Sequence, residues 1–149
     1  MVRFSTAVDD ERRAELRQRL RASNTAVSPV LASMRGTDAE RELPVDVHAL
    51  DEEGNLAGGL AGHTWARWLH IDLLWVAESA RGKGVGGELV RLAEAVGRDH
   101  GCLHARVGTW DFQAPSFYEG LGYTVVAAVP DYPPGVTDFL LTKRLTGGG

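Results

Sequence analysis

The sequence predicts a three-layer α/β (α+β) domain in which helices cover a mixed sheet containing hairpins. Three observations carry that expectation. From Val45 onward, short alternating runs are interleaved with helical periods. The run Leu69 to Val76 (LHIDLLWV) is apolar enough for a strand central in a sheet. Between it and a helical period of Val85, Leu89, Leu92 and Val96 lies the turn Arg81-Gly82-Lys83-Gly84-Val85-Gly86-Gly87.

The elements follow in order. Val2 to Val8 reads as a short first strand. Asp9-Asp10-Glu11 opens a helix with acids at its positive end, and Arg17, Arg19 and Arg21 are expected near its negative end. Leu16 and Leu20 give it an inward stripe. A short helix around Val30 to Met34 is predicted next. Val45 to Leu50 and Leu56 to Thr64 form a hairpin across the turn Asp51 to Asn55. Gly101 closes the helix that begins at Val85. Leu103 to Val107 is a further strand. Pro115 and Gly122 bracket a short helix, Pro115 to Leu121. Tyr123 to Val129 and Phe139 to Lys143 are the last strands, separated by the loop Pro130 to Gly135.

With 149 residues, 44% of them hydrophobic, the chain suits one domain whose core needs no disulfide or structural metal. The formal net charge of −4 and the absence of a basic face argue against a nucleic-acid partner. Cys102 is the one cysteine, so an internal disulfide is excluded and a small buried filler is expected. No basic-then-apolar leader or membrane-length apolar run is present, which makes a soluble cytoplasmic protein the default.

Residues 82 to 87 match G-x-G-x-x-G after a strand and before a helix. Glycines there let backbone N–H groups converge on an anion at a helix N-terminus, where the dipole favours negative charge. A dinucleotide fold would place such a turn on its first strand, with several βα units to follow. Here it falls mid-chain, with room for one. The Gly-Lys-Ser/Thr of a triphosphate loop is also absent. Anion binding therefore stands ahead of a plain flexible turn.

The stretch Val76 to Gly86, with Arg81 leading Gly82-Lys83-Gly84-Val85-Gly86, resembles the Q/R-x-x-G-x-G/A motif of the GNAT superfamily of acyl-CoA N-acyltransferases. Ala114-Pro115-Ser116-Phe117-Tyr118-Glu119-Gly120-Leu121-Gly122-Tyr123 resembles that family's A-x-x-F-Y-x-x-x-G-F/Y segment. The likeness covers roughly Leu56 to Leu145, and the family implies a mostly antiparallel twisted sheet that splays into a V between two central strands. Residues 1–146 would form one domain with helices on both faces, and 147–149 a flexible glycine tail. The resemblance implies acetyl-CoA as acyl donor and no metal. Gly82, Gly84, Val85 and Gly86 would hold the pyrophosphate, with Arg81 and Lys83 nearby. The main chain of Trp75 and Val76 would pair with the pantetheine arm, and Ala114 and Phe117 belong to the second coenzyme-contacting segment. Tyr118 falls on the tyrosine that protonates the departing thiolate. Asp111 stands where the family often has asparagine, and an ionised carboxylate only accepts hydrogen bonds, which puts coenzyme contacts at that position in question.

Acyl transfer to an amine requires a base to neutralise the amine. Strand alternation puts His70 and Asp72 on one side with Leu74 and Val76, making that pair the candidate base. Glu78 reads as solvated, and His63 as a surface histidine at the border of the acceptor site. A backbone N–H, that of Val76, would meet the oxyanion. Trp75 and Phe117 are expected to pack in the core, whereas Trp65, Trp110, Phe112 and Tyr132 are candidates to line an acceptor pocket suited to a cationic small amine. Antibiotic, polyamine, amino acid, peptide N-terminus and protein lysine all fit such a site, and a homodimer is compatible with the fold. The alternative is a coenzyme A-binding or regulatory module of the same fold without catalysis.

Overall fold

In the computed structural model, residues 1–113 and 115–145 are described. Ala114 and the expected tail 147–149 lie outside them. Two compact units divide the chain, Met1–Thr37 and Asp38–Gly149.

The first unit is helical. Helix α1 (Asp10–Val27) begins at Asp9, whose carboxylate accepts the Arg12 N–H at 3.0 Å and so satisfies one of the unpaired donors of the first turn. It runs past Arg21, so Arg17, Arg19 and Arg21 sit mid-helix and not at its negative end. Arg19 instead pairs with Glu15 one turn back, at 2.7 Å. Ser28 ends α1 and caps α2 (Pro29–Met34) by accepting from the Leu31 N–H, with Pro29 in the first turn. The strand expected over Val2 to Val8 is absent, since this unit offers no ladder partner. Nor do Leu16 and Leu20 find a covering partner within it; both are exposed.

The second unit holds strands β1 (Leu43–Leu50), β2 (Leu56–Trp65), β3 (Trp68–Val76), β4 (His104–Trp110), β5 (Thr124–Val129) and β6 (Asp138–Arg144), with helices α3 (Val85–Asp99) and α4 (Pro115–Gly120). The sheet order is β1-β2-β3-β4-β6-β5, and only β3 and β4 run parallel. In the first hairpin turn the Asp51 carboxylate accepts the N–H groups of Glu53 and Asn55. The amphipathic α3 buries Leu89, Val90 and Ala93 on the sheet face formed by Val45, Leu60 and Leu69. Gly97 permits close packing, because a Cβ there would already touch Leu69 at 3.4 Å. Cys102 is buried, as expected of a filler. Among the described residues, no helix is long and apolar enough to cross a membrane.

A buried charged group fixes the far end of α3. Glu94, only 4% exposed, accepts the Tyr123 hydroxyl at 2.8 Å and the Lys143 ammonium at 3.0 Å. Burial first, then the adjacent carboxylate, pushes the Tyr123 phenol far above its ordinary value. Removing Lys143 would leave the buried Glu94 carboxylate without its counter-charge, at about 3–5 kcal/mol.

β3 does not alternate throughout. Ala61 pairs with Leu73 while its neighbour Gly62 pairs with Ile71, so Asp72 is an extra residue on β3. The bulge reverses the parity of the strand. Leu69 and Ile71 before it, and Leu74 and Val76 after it, all pack toward the core, whereas His70 shares the opposite face with Leu73 and Trp75. The expected grouping of His70 and Asp72 with Leu74 and Val76 is thereby corrected. Gly62 allows the bulge, because any Cβ at that position would collide with the His70 carbonyl.

Candidate active site

β3 and β4 pair only from Trp68↔His104 to Ile71↔Val107. Beyond that point β3 keeps β2 alone and β4 keeps β6 alone, so the two central strands part. Their divergence opens a cleft of about 950 Å³ that is floored by Ile71 and Val107 and runs to the start of α3. Residues Leu73 to Val76 along it have a ladder partner on one side only, an edge on which an extended ligand can lie as an added strand.

At the helix end of the cleft, Gly82 (φ 75°) and Gly84 (φ 77°) adopt left-handed conformations that glycine takes without cost. Gly84 is the N-cap of α3 and has no side chain to cap it, so the helix's first N–H groups are left for a ligand. Ideal Cβ atoms at Gly82 and Gly84 would stand in open space. Arg81 donates from Nε to the Val76 carbonyl at 3.2 Å and lines the cleft with Gly82, Gly84, Val85 and Gly86, while Lys83 is exposed on the same turn. A Cβ at Gly86 would press on the Phe117 ring at 3.2 Å, so this glycine is needed for α4 to approach α3.

Tyr118 lines the cleft and is 7% exposed, with its ring edge-on to both Phe117 and Tyr123. Burial pushes its pKa up to about 12, so it keeps its proton across neutral pH. Among the described residues its hydroxyl has no hydrogen-bond partner, yet it is not a fully enclosed polar atom; it therefore opens onto the cleft. Phe117, expected to face the core while Tyr118 faced the cleft, both packs on the core and lines the cleft, and Tyr118 is the more buried of the two.

Asp72 lines the cleft as well, but its partner is not His70. Asp72 Oδ2 lies 2.8 Å from His63 Nδ1, and the His63 ring stacks on that of His70. Burial, followed by the neighbouring His63 and Arg106, holds His70 below the ordinary histidine value despite the opposing pull of Asp72 and Glu42. Glu78 is exposed, in a 3₁₀ turn after β3.

Trp75, assigned to core packing from sequence, is 51% exposed, since the bulge turns it away from α3. Of the acceptor-pocket candidates, Phe112 lines the cleft and Trp110 leans on it with ring centroids 5.5 Å apart. Trp65 pairs with Trp68 at the closed end of the β2–β3 hairpin, away from the splay. Tyr132 is exposed in the β5–β6 loop and is not part of the lining. Asp111 is also absent from it: its carboxylate accepts the Thr137 N–H at 3.1 Å and its own N–H bonds the Thr137 carbonyl, fastening the end of β4 to the segment before β6. Ala114 lies outside the described residues. Gln113, which nothing in the sequence singles out, lines the cleft and accepts hydrogen bonds from the Thr109 hydroxyl and the Trp110 N–H.

An anion cradle at a helix start, a strand edge leading from it and a buried tyrosine lining the same cleft suit the transfer of a group from a long carrier with an anionic head. That is the layout of an acyl-coenzyme A-dependent transferase. The acetyltransferase (GNAT) family pattern matches residues 10–123. A blasticidin-S acetyltransferase of Streptomyces morookaense is 49% identical over 131 residues, covering 85% of this chain and 96% of that protein. An acetyltransferase of Agrobacterium fabrum is 32% identical over 109 residues, covering 73% of this chain and 78% of its own. The crystal structure of an acetyltransferase from Bacillus cereus superposes with a TM-score of 0.82 at 27% identity, covering 96% of this chain and 97% of the other. This chain belongs to the GNAT family of acetyltransferases, which are acyl-CoA N-acyltransferases.

Proposed function

We propose that this enzyme moves an acetyl group from acetyl-CoA directly to a primary amine of a small-molecule acceptor. The observation that carries the reading is Tyr118, which lines the same cleft as the glycine turn before α3 and Asp72 and whose hydroxyl bonds no other described residue. The open space around Gly82 and Gly84 fits a pyrophosphate at the start of α3, with Arg81 and Lys83 adding positive charge. The free edge of Trp75 and Val76 suits the amide groups of a pantetheine arm. Acetyl-CoA, once bound, supplies an activated thioester.

The protein's own groups then divide the work. Asp72 takes a proton from the acceptor nitrogen, the Val76 N–H meets the charge developing on the carbonyl oxygen, and Tyr118 returns a proton to the leaving sulfur. Phe112 and Trp110 border the acceptor's approach. The identity to a blasticidin-S acetyltransferase supports an antibiotic-type acceptor and makes blasticidin S the first amine to try.

The test is a panel of blasticidin S, polyamines, amino acids and a lysine peptide, incubated with acetyl-CoA and followed by mass spectrometry together with thiol release. One N-acetylated product per thiol, formed fastest with a small molecule, is the expected result. If the protein binds acetyl-CoA but acetylates nothing in the panel, the binding-module reading takes its place.

A further inference from the structure

The two-residue turn between β2 and β3 sets His63 directly opposite His70, and their rings stack with centroids 4.5 Å apart and planes within 12°. The bulge at Asp72 then brings its carboxylate back toward β2, where Oδ2 meets His63 Nδ1 at 2.8 Å. An ionised carboxylate can only accept, so Nδ1 carries the hydrogen and donates it. Stacking fixes the plane of the His63 ring, and the hydrogen bond fixes its rotation within that plane. The carboxylate is held in turn. Asp72 lines the cleft and His63 does not, so His63 reaches the reaction only through Asp72.

We infer that His63 is a positioning residue of the acyl transfer, holding the Asp72 carboxylate where the acceptor amine gives up its proton. The inference rests on the proposed acetyl transfer with Asp72 as base. In that step an Asp72 oxygen takes a proton from the acceptor nitrogen as the N–C bond forms. The C–S bond breaks and its electron pair stays on sulfur, which receives the Tyr118 proton. Asp72 then loses its proton to water and Tyr118 regains one, so a neutral amine and a thioester become an amide and a thiol with no net proton change.

The geometry also says why the partner is His63. His70 supplies the stacking surface, and among the described residues it makes no hydrogen bond to Asp72. Gly62 completes the arrangement, since it lets β2 approach the His70 carbonyl closely enough for the bulge to form.

The experiment measures kcat and KM with acetyl-CoA and the best acceptor of the panel, blasticidin S being tried first, for two His63 variants. His63→Phe keeps a ring to stack on His70 and removes the donor. His63→Asn keeps a side-chain N–H near the place of Nδ1 and cannot ionise. His63→Phe is expected to lower kcat roughly tenfold to a hundredfold, the scale of a misoriented group, with KM for acetyl-CoA unchanged. His63→Asn should recover most of that loss. In an Asp72→Asn background, His63→Phe should cost nothing further, because the group it positions is already lost. Equal losses in the Phe and Asn variants, or losses that multiply in the Asp72→Asn background, would overturn the positioning role. Wild-type turnover by Asp72→Asn alone would instead remove Asp72 as base, an outcome separate from a failure of His63 and one that ends the inference with it. If His63→Phe melts at low temperature, His63→Leu in the same two backgrounds carries the comparison.

Discussion

Replacing Tyr118 with phenylalanine is expected to slow turnover by roughly 10²–10⁴-fold, the scale of a lost acid–base group, while the fold and acetyl-CoA affinity barely change. The substitution is conservative in shape. The ring stays edge-on to Phe117 and Tyr123, and the hydroxyl it loses bonds no other described residue, so no partner is left unsatisfied. What disappears is one proton donor facing the cleft. Burial raises the Tyr118 pKa to about 12, so wild-type enzyme keeps that donor in its protonated form well above neutrality. Its rate should therefore show no loss from Tyr118 ionisation below about pH 10, the ordinary tyrosine value. A Tyr118→Phe variant at the wild-type rate would reduce Tyr118 to a packing residue and leave water as the proton source.

Gly84→Asp is the second large effect, and it acts on binding. Nothing lies within 4 Å of a Cβ built at Gly84, so the side chain fits without collision. The left-handed φ of 77° costs an L-residue roughly 1–2 kcal/mol, which lowers the melting temperature by a few degrees without unfolding the domain. The new carboxylate, however, sits at the N-cap of α3, where a pyrophosphate would need the same N–H groups. Two like charges about 5 Å apart at a protein surface repel by about 3 kcal/mol, a hundredfold or more in affinity. Calorimetric titration with coenzyme A should show that loss in Gly84→Asp. Gly84→Ala, which carries the strain without the charge, should lose far less. Equal affinities in all three proteins would remove the cradle from the account.

The glycine turn and Tyr118 are legible in the sequence because each depends on local chemistry. A left-handed cap wants glycine, and a short helix bracketed by Pro115 and Gly122 announces itself; Gly122 does take the left-handed conformation there. The turn's place along the chain is also legible, since a mid-chain glycine turn with room for one βα unit after it disfavours a dinucleotide fold. The bulge at Asp72 is not. LHIDLLWV contains no glycine or proline to mark it, and the residue that permits it, Gly62, lies on the neighbouring strand. Trp75 is assigned to the core as a large aromatic of a small domain, while the bulge turns it outward.

The partnership of His63 and Asp72 is hidden for a related reason. It follows from a two-residue hairpin turn at Ala66 and Arg67, both with positive φ, at positions where asparagine and glycine are the usual signal. Without that signal the register that sets His63 against His70 cannot be counted. Asp111 shows the opposite case. Its departure from asparagine is plain in the sequence, but its bonds to Thr137 depend on a loop brought back from 26 residues away.

The most direct test of the account follows the acetyl group itself. Enzyme incubated with acetyl-labelled acetyl-CoA and no acceptor should leave the label on the thioester and none on the protein. Addition of the acceptor amine should then move the label into an amide, with one thiol released for each amide formed. Label that accumulates on the protein in the absence of amine, and is discharged when amine is added, would contradict direct transfer through the Asp72 and Tyr118 cleft.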